Sequence, residues 1–378
     1  MKIAVIHNLP PGGQKRALYE QVKRLSEKHQ LDLFTLSSTN ERFLPLKPFI
    51  DNHFTVCHYP PPHFPHSVLS LYFKLPQAYE KLADMINEGN YDAAYINPCY
   101  LTQTPYILRY LKIPSLYFCP EPKREFYERI PHVSNNFTYC LTYPFRLPIK
   151  YIDRTNIKYA TRIITNSIYS QKRIKEIYQK EAFVNYLGVE TSLFRILTDS
   201  QKENMVLTVG EVSLHKGHDF IVRSLSLIPF HNRPKLVIIG HKGIEKNYLL
   251  DFARSRQVKM EIVENISDQA LAKWYNRAKL FVYAAINEPF GMVLLEAVSC
   301  GLPIVAVNEG GIKEILSNEL VGSLTKREEK EFSKKIIKYL NAFPNKNRME
   351  KQIDCIKKNW NWEKSVKCLE KHLEETAK

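Results

Sequence analysis

The sequence predicts an α/β protein made of two Rossmann-like, doubly wound halves in tandem. Three observations carry this. Short, continuously apolar segments such as Ile3-Ala-Val-Ile6 alternate with amphipathic segments, the pattern of parallel strands covered on both faces by helices. Glycine-containing loops follow the strands, as in Pro10-Pro-Gly-Gly13 and Gly240-His-Lys-Gly243. With 378 residues, 44% of them apolar, the chain is long enough for two ordinary cores.

In the first half, a strand over 2–7 leads through the Pro-Pro-Gly-Gly loop into a helix over 14–29, with Leu18, Val22 and Leu25 as its apolar stripe. Further strands are expected near 31–36, 92–97, 113–118, 161–166 and 182–186. Residues 59–66, Tyr-Pro-Pro-Pro-His-Phe-Pro-His, read as a stiff non-helical loop. Residues 120–160 interleave aromatics with cations, which suits an acceptor site, a membrane surface or an ordinary helical insertion.

In the second half, strands are expected at 204–210, 235–240, 259–263, 279–284 and 303–307. Helices are expected at about 217–228, 245–256, 268–277 and 291–300. A linker is expected near 188–203, and an amphipathic helix over 362–376 follows Trp360-Asn-Trp362. The expected domains are 1–195, 196–358 and a C-terminal helix over 359–378 that returns to the first.

Composition excludes several classes. No apolar run is long enough to span a membrane, and no signal-peptide pattern opens the chain, so a cytoplasmic protein is expected. Seven scattered cysteines without a Cys-x-x-Cys spacing argue against a disulfide framework or structural zinc. The net charge of +15 is spread along the chain, which favours anionic nucleotides and an anionic membrane surface over a nucleic-acid partner.

The stretch richest in chemistry is Glu288-Pro-Phe-Gly-Met-Val-Leu-Leu-Glu296. Asn287-Glu288-Pro289 reads as a strand-to-helix turn, and Gly291 lets the backbone approach a ligand. The first amides of the following helix lack intrahelical partners and carry the positive dipole end, which suits a diphosphate. Glu296, over a turn inside the helix, can accept from vicinal hydroxyls; Gly301 then stops the helix and Pro303 prevents its continuation.

This stretch closely resembles the signature of glycosyltransferase family 4, the retaining enzymes of the GT-B fold, and the resemblance runs through nearly the whole chain. It implies two Rossmann-like domains facing a central cleft, with the ligand between their carboxyl edges. It implies that Glu288 meets the donor sugar and Glu296 the nucleotide ribose. It gives the backbone of Phe290, Gly291, Met292 and Val293 to the sugar and diphosphate.

Gly210-Glu-Val-Ser-Leu-His-Lys216-Gly217 resembles a second family segment, in which Lys216 holds the diphosphate. The family's arginine in that segment is Glu211 here, a charge reversal; either Glu211 turns away, or His215, Arg16 or Lys15 supplies the lost charge. Gly12 and Gly13 match the family's glycine loop, and Gly240 ends a strand beside the expected base pocket. Tyr117-Phe-Cys-Pro120-Glu121-Pro-Lys-Arg124 resembles a segment in mannosyltransferase-like relatives whose histidine is Pro120 here, so Glu121 would replace it or touch the acceptor.

The resemblance thus implies a hexosyltransferase using a nucleoside-diphosphate sugar, GDP-mannose or UDP-hexose, and a glycan or lipid-linked acceptor. No metal is expected, because the chain has no Asp-x-Asp, and no cofactor is expected. The departures at Glu211 and Pro120 motivate one alternative, a non-catalytic nucleotide-sugar-binding subunit of a glycan assembly complex.

Overall fold

The computed structural model describes residues 1–61, 63, 66–128, 136–198, 200–241, 243, 245–316, 322–342 and 345–378. The chain divides into two compact units. The first comprises residues 1–129, 137–187 and 362–378; the second is built on Gly188–Asn361.

In the first unit the order is β1 (Lys2–Asn8), α1 (Gly13–Leu25), β2 (Gln30–Leu36), β3 (Asn52–Val56), α2 (Leu75–Glu88), β4 (Ala93–Cys99), β5 (Ser115–Phe118), α3 (Asn136–Asn156), β6 (Arg162–Thr165), α4 (Ile168–Tyr178) and β7 (Phe183–Val184). The seven strands form one parallel sheet in the order β3-β2-β1-β4-β5-β6-β7. Strand order reverses beside β1, where Ile3 pairs with Leu31 on one side and Ala93 on the other. Ligands of doubly wound sheets gather at such a switch point. Ile3, Ala4, Val5 and Ile6 are fully buried, as a central parallel strand requires.

In the second unit β8 (Met205–Val209), α5 (His218–Ser226), β9 (Lys235–Ile239), α6 (Lys246–Ser255), β10 (Met260–Val263), α7 (Asp268–Arg277), β11 (Leu280–Tyr283), α8 (Met292–Ser299), β12 (Ile304–Val307), β13 (Gly322–Thr325), α9 (Glu329–Asn341) and α10 (Lys346–Asn359) follow in turn. Their parallel sheet runs β10-β9-β8-β11-β12-β13. The chain then completes the first unit with α11 (Trp362–Ala377). Leu369 and Leu373 are fully buried there, and Glu370 accepts from Lys28 Nζ at 3.1 Å, just beyond α1.

Several expectations change. The first helix stops at Leu25, not near 29, because Leu25's carbonyl accepts the amides of both Lys28 and His29 in a turn that feeds β2. The segment 59–66, expected as non-helical, ends in a short helix at His66–Leu69, which widens into a π-turn at Ser70–Lys74 before α2; residues 62, 64 and 65 lie outside the described part. Strands β3 and β13 and helices α2, α4, α9 and α10 were not expected at all. In the aromatic stretch 120–160, Arg124–Tyr127 and Asn136–Asn156 are helical. Among the described residues, no helix is long and apolar enough to cross a membrane.

Candidate functional site

The loops at the carboxyl edge of the second sheet are drawn together by backbone contacts that leave no room for a side chain. Gly217 sits at φ +71°, and a Cβ there would lie 2.0 Å from the Ala284 carbonyl oxygen. Gly310, also at φ +71°, touches Glu288, whose carbonyl oxygen a Cβ would meet at 2.2 Å. The Gly311 amide donates to that same carbonyl at 2.8 Å, and the Ile286 amide donates to the His215 carbonyl at 2.9 Å. The turns after β8, β11 and β12 are thereby held side by side. Gly240, after β9, lies equally close to the Gly210 carbonyl.

Two expected residues meet here. Lys216, on the turn after β8, donates from Nζ to Glu288 Oε2 at 2.8 Å. Both side chains are partly exposed, at 19% and 14%. Asn287, at φ +48°, turns the chain so that Glu288 leaves the sheet edge towards Lys216.

Beyond Glu288, Phe290 is buried against Trp360, with ring centroids 5.6 Å apart. Gly291, at φ +93°, starts α8 and supplies no side-chain cap. Met292 and Val293 open the helix half-buried. The expected Gly301 stop is a Schellman turn: the Gly301 amide donates to Val298 and the Leu302 amide to Ala297.

Glu296 lies on the same helix but in a different setting. It is buried, and Tyr275, itself fully buried on α7, donates its hydroxyl to Glu296 Oε2 at 2.8 Å. Burial and the neighbouring Glu296 push the Tyr275 hydroxyl well above its ordinary value, so it stays protonated and donates to the carboxylate. Burial likewise raises the nearby Cys300 thiol to about 12.

Glu211 points outward with a 55% exposed side chain, and His215 Nε2 lies 4.0 Å from its Oε2. His215 Nδ1 lies 3.0 Å from the Ser213 hydroxyl. The Glu211 carbonyl accepts from His218 Nε2 at 3.0 Å. Burial pulls the His218 imidazole down to about 4. It is therefore neutral, with its proton on Nε2, and its buried Nδ1 has no hydrogen-bond partner among the described residues.

Sequence reasoning missed His218, Tyr275 and Arg327. The Arg327 guanidinium grips both oxygens of Glu309, at 2.8 and 2.7 Å, and donates to the Ala284 carbonyl at 2.9 Å. The paired glycines Gly310 and Gly311 after β12 were the available signal for this junction.

Gly12, Gly13, Arg16 and Glu121 belong to the first unit. Gly12 stands at φ +148° with open space where a Cβ would point, and its carbonyl accepts the Arg16 amide at 3.0 Å. Glu121 lies 3.6 Å from Arg124.

Beside this loop is a buried charged cluster that the sequence did not reveal. Lys15 of α1 and His7 of β1 are almost wholly buried, and both reach Glu41 from the loop after β2. The Leu9 amide donates to His7 Nδ1 at 3.3 Å, so the imidazole proton is on Nε2, 2.8 Å from Glu41 Oε1. Burial pulls His7 down to about 4. Burial alone would raise the Glu41 carboxyl; the bonds from His7, the Leu46 amide and Lys15, with the charge beside it, together outweigh burial and bring Glu41 to about 2. Among the described residues, no group of three or more His, Cys, Asp or Glu is placed to hold a metal.

Comparison with known proteins adds the following. Residues 189–354 match the family described as glycosyl transferases group 1. An uncharacterised glycosyltransferase of Methanocaldococcus jannaschii is 34% identical over 122 residues, which are 32% of this chain and 31% of that one. Alignments with two further curated relatives also span less than two thirds of their length, 62% and 54%.

Among solved structures, the sucrose-phosphate synthase of Thermosynechococcus elongatus superposes with a TM-score of 0.79 at 16% identity, covering 99% of this chain and 98% of that one. The Anabaena protein HepE, in complex with UDP and glucose, superposes at 0.74 and 16% identity, covering 99% of each chain. The fold is GT-B, with two Rossmann-like doubly wound domains. The family match lies within the second unit, and the structural similarity extends over the whole chain.

Proposed function

We propose that the protein is a retaining hexosyltransferase that moves a sugar from a nucleoside diphosphate to a hydroxyl of a glycan or lipid-linked acceptor. The observation that carries this reading is the pairing of Lys216 with Glu288 at 2.8 Å, on turns locked to the sheet edge and next to the start of α8, which has no side-chain cap.

In this reading the amides from Phe290 to Val293 and the Lys216 ammonium hold the diphosphate, and Glu288 orients the sugar hydroxyls. The bond from the anomeric carbon to the diphosphate oxygen breaks as the acceptor oxygen bonds to the same face of that carbon. The acceptor proton passes to the leaving oxygen. The residues' contribution is positioning and neutralisation of the charge that develops on the diphosphate. Lys216 supports that role as a compact, partly exposed point charge.

Glu296 takes the ribose hydroxyls, steadied through the oxygen that Tyr275 holds. The outward Glu211 side chain keeps its charge away from the Lys216–Glu288 pair in this reading, and Gly240 borders the base. For Gly12, Gly13, Arg16 and Glu121 the proposal rests on the sequence resemblance alone.

The donor is a UDP-hexose or GDP-mannose. HepE's complex with UDP and glucose supports the first, and the Cys119-Pro-Glu-Pro-Lys-Arg124 segment the second. A thermal-shift panel of nucleotides separates them, since a ligand at about 100 times its Kd adds roughly 2.7 kcal/mol.

Lys216→Ala and Glu296→Ala should each weaken nucleotide binding by about 1–3 kcal/mol in calorimetry. Unchanged affinity in both would refute the site. Transfer is expected to persist in a chelator and to keep the anomeric configuration, which NMR of the product reads directly.

A further inference from the structure

The outward face of α3 is apolar, contrary to the usual division of an amphipathic helix. Leu141, Phe145, Leu147 and Tyr151 are exposed along it, at 64%, 48%, 43% and 70%, and Pro144 and Pro148 are exposed among them. The face towards the core is buried through Ile149, Ile152 and Asp153 in the second half of the helix. Asp153 fastens that face by accepting from Thr104 and Tyr178, at 2.7 and 2.6 Å.

A second exposed apolar pair adjoins it. Leu69 and Phe73, exposed at 51% and 64%, flank Tyr72, whose hydroxyl donates to the Phe145 carbonyl at 2.6 Å. The π-turn over Ser70–Lys74 carries Phe73 and Lys74 outward together.

Charge indicates what covers this surface. The chain has no Asp or Glu between residues 52 and 79 or between 129 and 152, the two stretches that supply the apolar side chains. Exposed cations border them: Lys74 follows Phe73 directly, and Arg154 and Lys158 come three and seven residues after Tyr151. A second copy of this chain, at +15, would set like charges against one another. A surface of exposed Phe, Leu and Tyr rimmed by Lys and Arg is complementary to the headgroup region of an anionic bilayer. There the aromatic and aliphatic groups enter the interface and the cations meet lipid phosphates.

We propose that the first unit docks on an anionic lipid bilayer through Leu69, Phe73, Leu141, Phe145 and Tyr151, with Lys74, Arg154 and Lys158 as the electrostatic rim. This deepens the lipid-linked branch of the proposed function, and vesicle and nucleotide binding are read separately so that either can fail alone.

The test uses the full chain in co-sedimentation with vesicles of phosphatidylcholine alone or with one third phosphatidylglycerol. Binding should appear on the anionic vesicles and fall as salt is raised. The triple variant Phe73→Ser, Leu141→Ser, Phe145→Ser should bind at least tenfold more weakly while its circular dichroism and nucleotide-induced thermal shift stay unchanged. A second variant, Lys74→Gln, Arg154→Gln, Lys158→Gln, should lose the salt-sensitive part. Wild-type binding no better than a soluble control overturns the proposal, as does full vesicle binding by the serine variant. A dimer in light scattering that the serine variant abolishes, without vesicle binding, reassigns the face to self-association.

Discussion

The two sheets end in different ways at their carboxyl edges. In the second unit the turns after β8, β11 and β12 are joined backbone to backbone, with Gly217 against Ala284 and Gly310 against Glu288. In the first unit, the turn after β1 is flanked by a buried cluster of side chains, His7, Lys15 and Glu41, while Gly12 has open space beside it. One edge is shaped by the absence of side chains, the other by their charge. A backbone lock tolerates no substitution at its glycines but leaves the nearby functional groups energetically free. A charge cluster ties stability to protonation.

The largest expected effect breaks the backbone lock. Gly217→Ala puts a Cβ 2.0 Å from a carbonyl oxygen at φ +71°, and should destabilise the second unit by about 3 kcal/mol or more. Gly12→Ala meets no atom within 4 Å and should cost only the strain of its φ, about 1–2 kcal/mol. Differential scanning calorimetry checks both, and equal losses would remove the distinction between the two edges.

Next comes the charge cluster. Lys15→Met leaves Glu41 without its cation and should cost about 2–3 kcal/mol, reduced from a fully buried pair because Glu41 is 21% exposed. Adding Glu41→Gln should recover part of the loss in urea unfolding.

A smaller effect is set by pH. His7 and His218 have folded values near 4 against 6.5 when unfolded. The unfolded chain therefore binds protons first, and stability present above pH 6.5 is lost as pH falls towards 4. Asp153 runs the other way: burial, against its hydrogen bonds from Tyr178 and Thr104, raises it to about 6 from 3.8. Its contribution is full below pH 3.8 and is lost as pH rises through 6. His218→Asn should flatten the acid limb, and Asp153→Asn should steepen the net loss between pH 6 and 4. Thermal melts across that range read both slopes.

The smallest expected effect is at the proposed site. Lys216→Met should change folding stability by about 1 kcal/mol, less than Lys15→Met, because Lys216 is 19% exposed where Lys15 is wholly buried, so solvent screens the pair in part. A loss as large as that of Lys15→Met would mean that Lys216 holds the fold together.

The same contrast explains what the sequence disclosed. Much of the second edge comes from two short stretches, Gly210–Gly217 and Glu288–Pro303, so local rules for turns and helix ends could single out Lys216 and Glu288 and predict the Gly301 stop. The bond between Tyr275 and Glu296 spans 21 residues, and no local periodicity marks it. His7, Lys15 and Glu41 come from a strand, a helix and a loop, and meet only once β1 and β2 pair. Strand β3 escaped notice because Asn52, His53 and Thr55 are exposed on a sheet edge and break the apolar run that marked the central strands. Helix α2 carries a regular buried stripe, Leu75, Ala78, Tyr79, Leu82 and Ile86, that was legible but was not read.

One consequence of the topology concerns timing. The first unit needs α11, whose Trp362–Ala377 segment is made after all of Gly188–Asn361. During synthesis the domain begun first is therefore the domain finished last. Until residue 377 emerges, Arg24 of α1 and Lys28 just beyond it, which receive Glu363 and Glu370, stay uncovered, while the second unit already has every strand of its sheet. A ribosome stalled anywhere in the last helix would hold a finished second unit tethered to an unfinished first one.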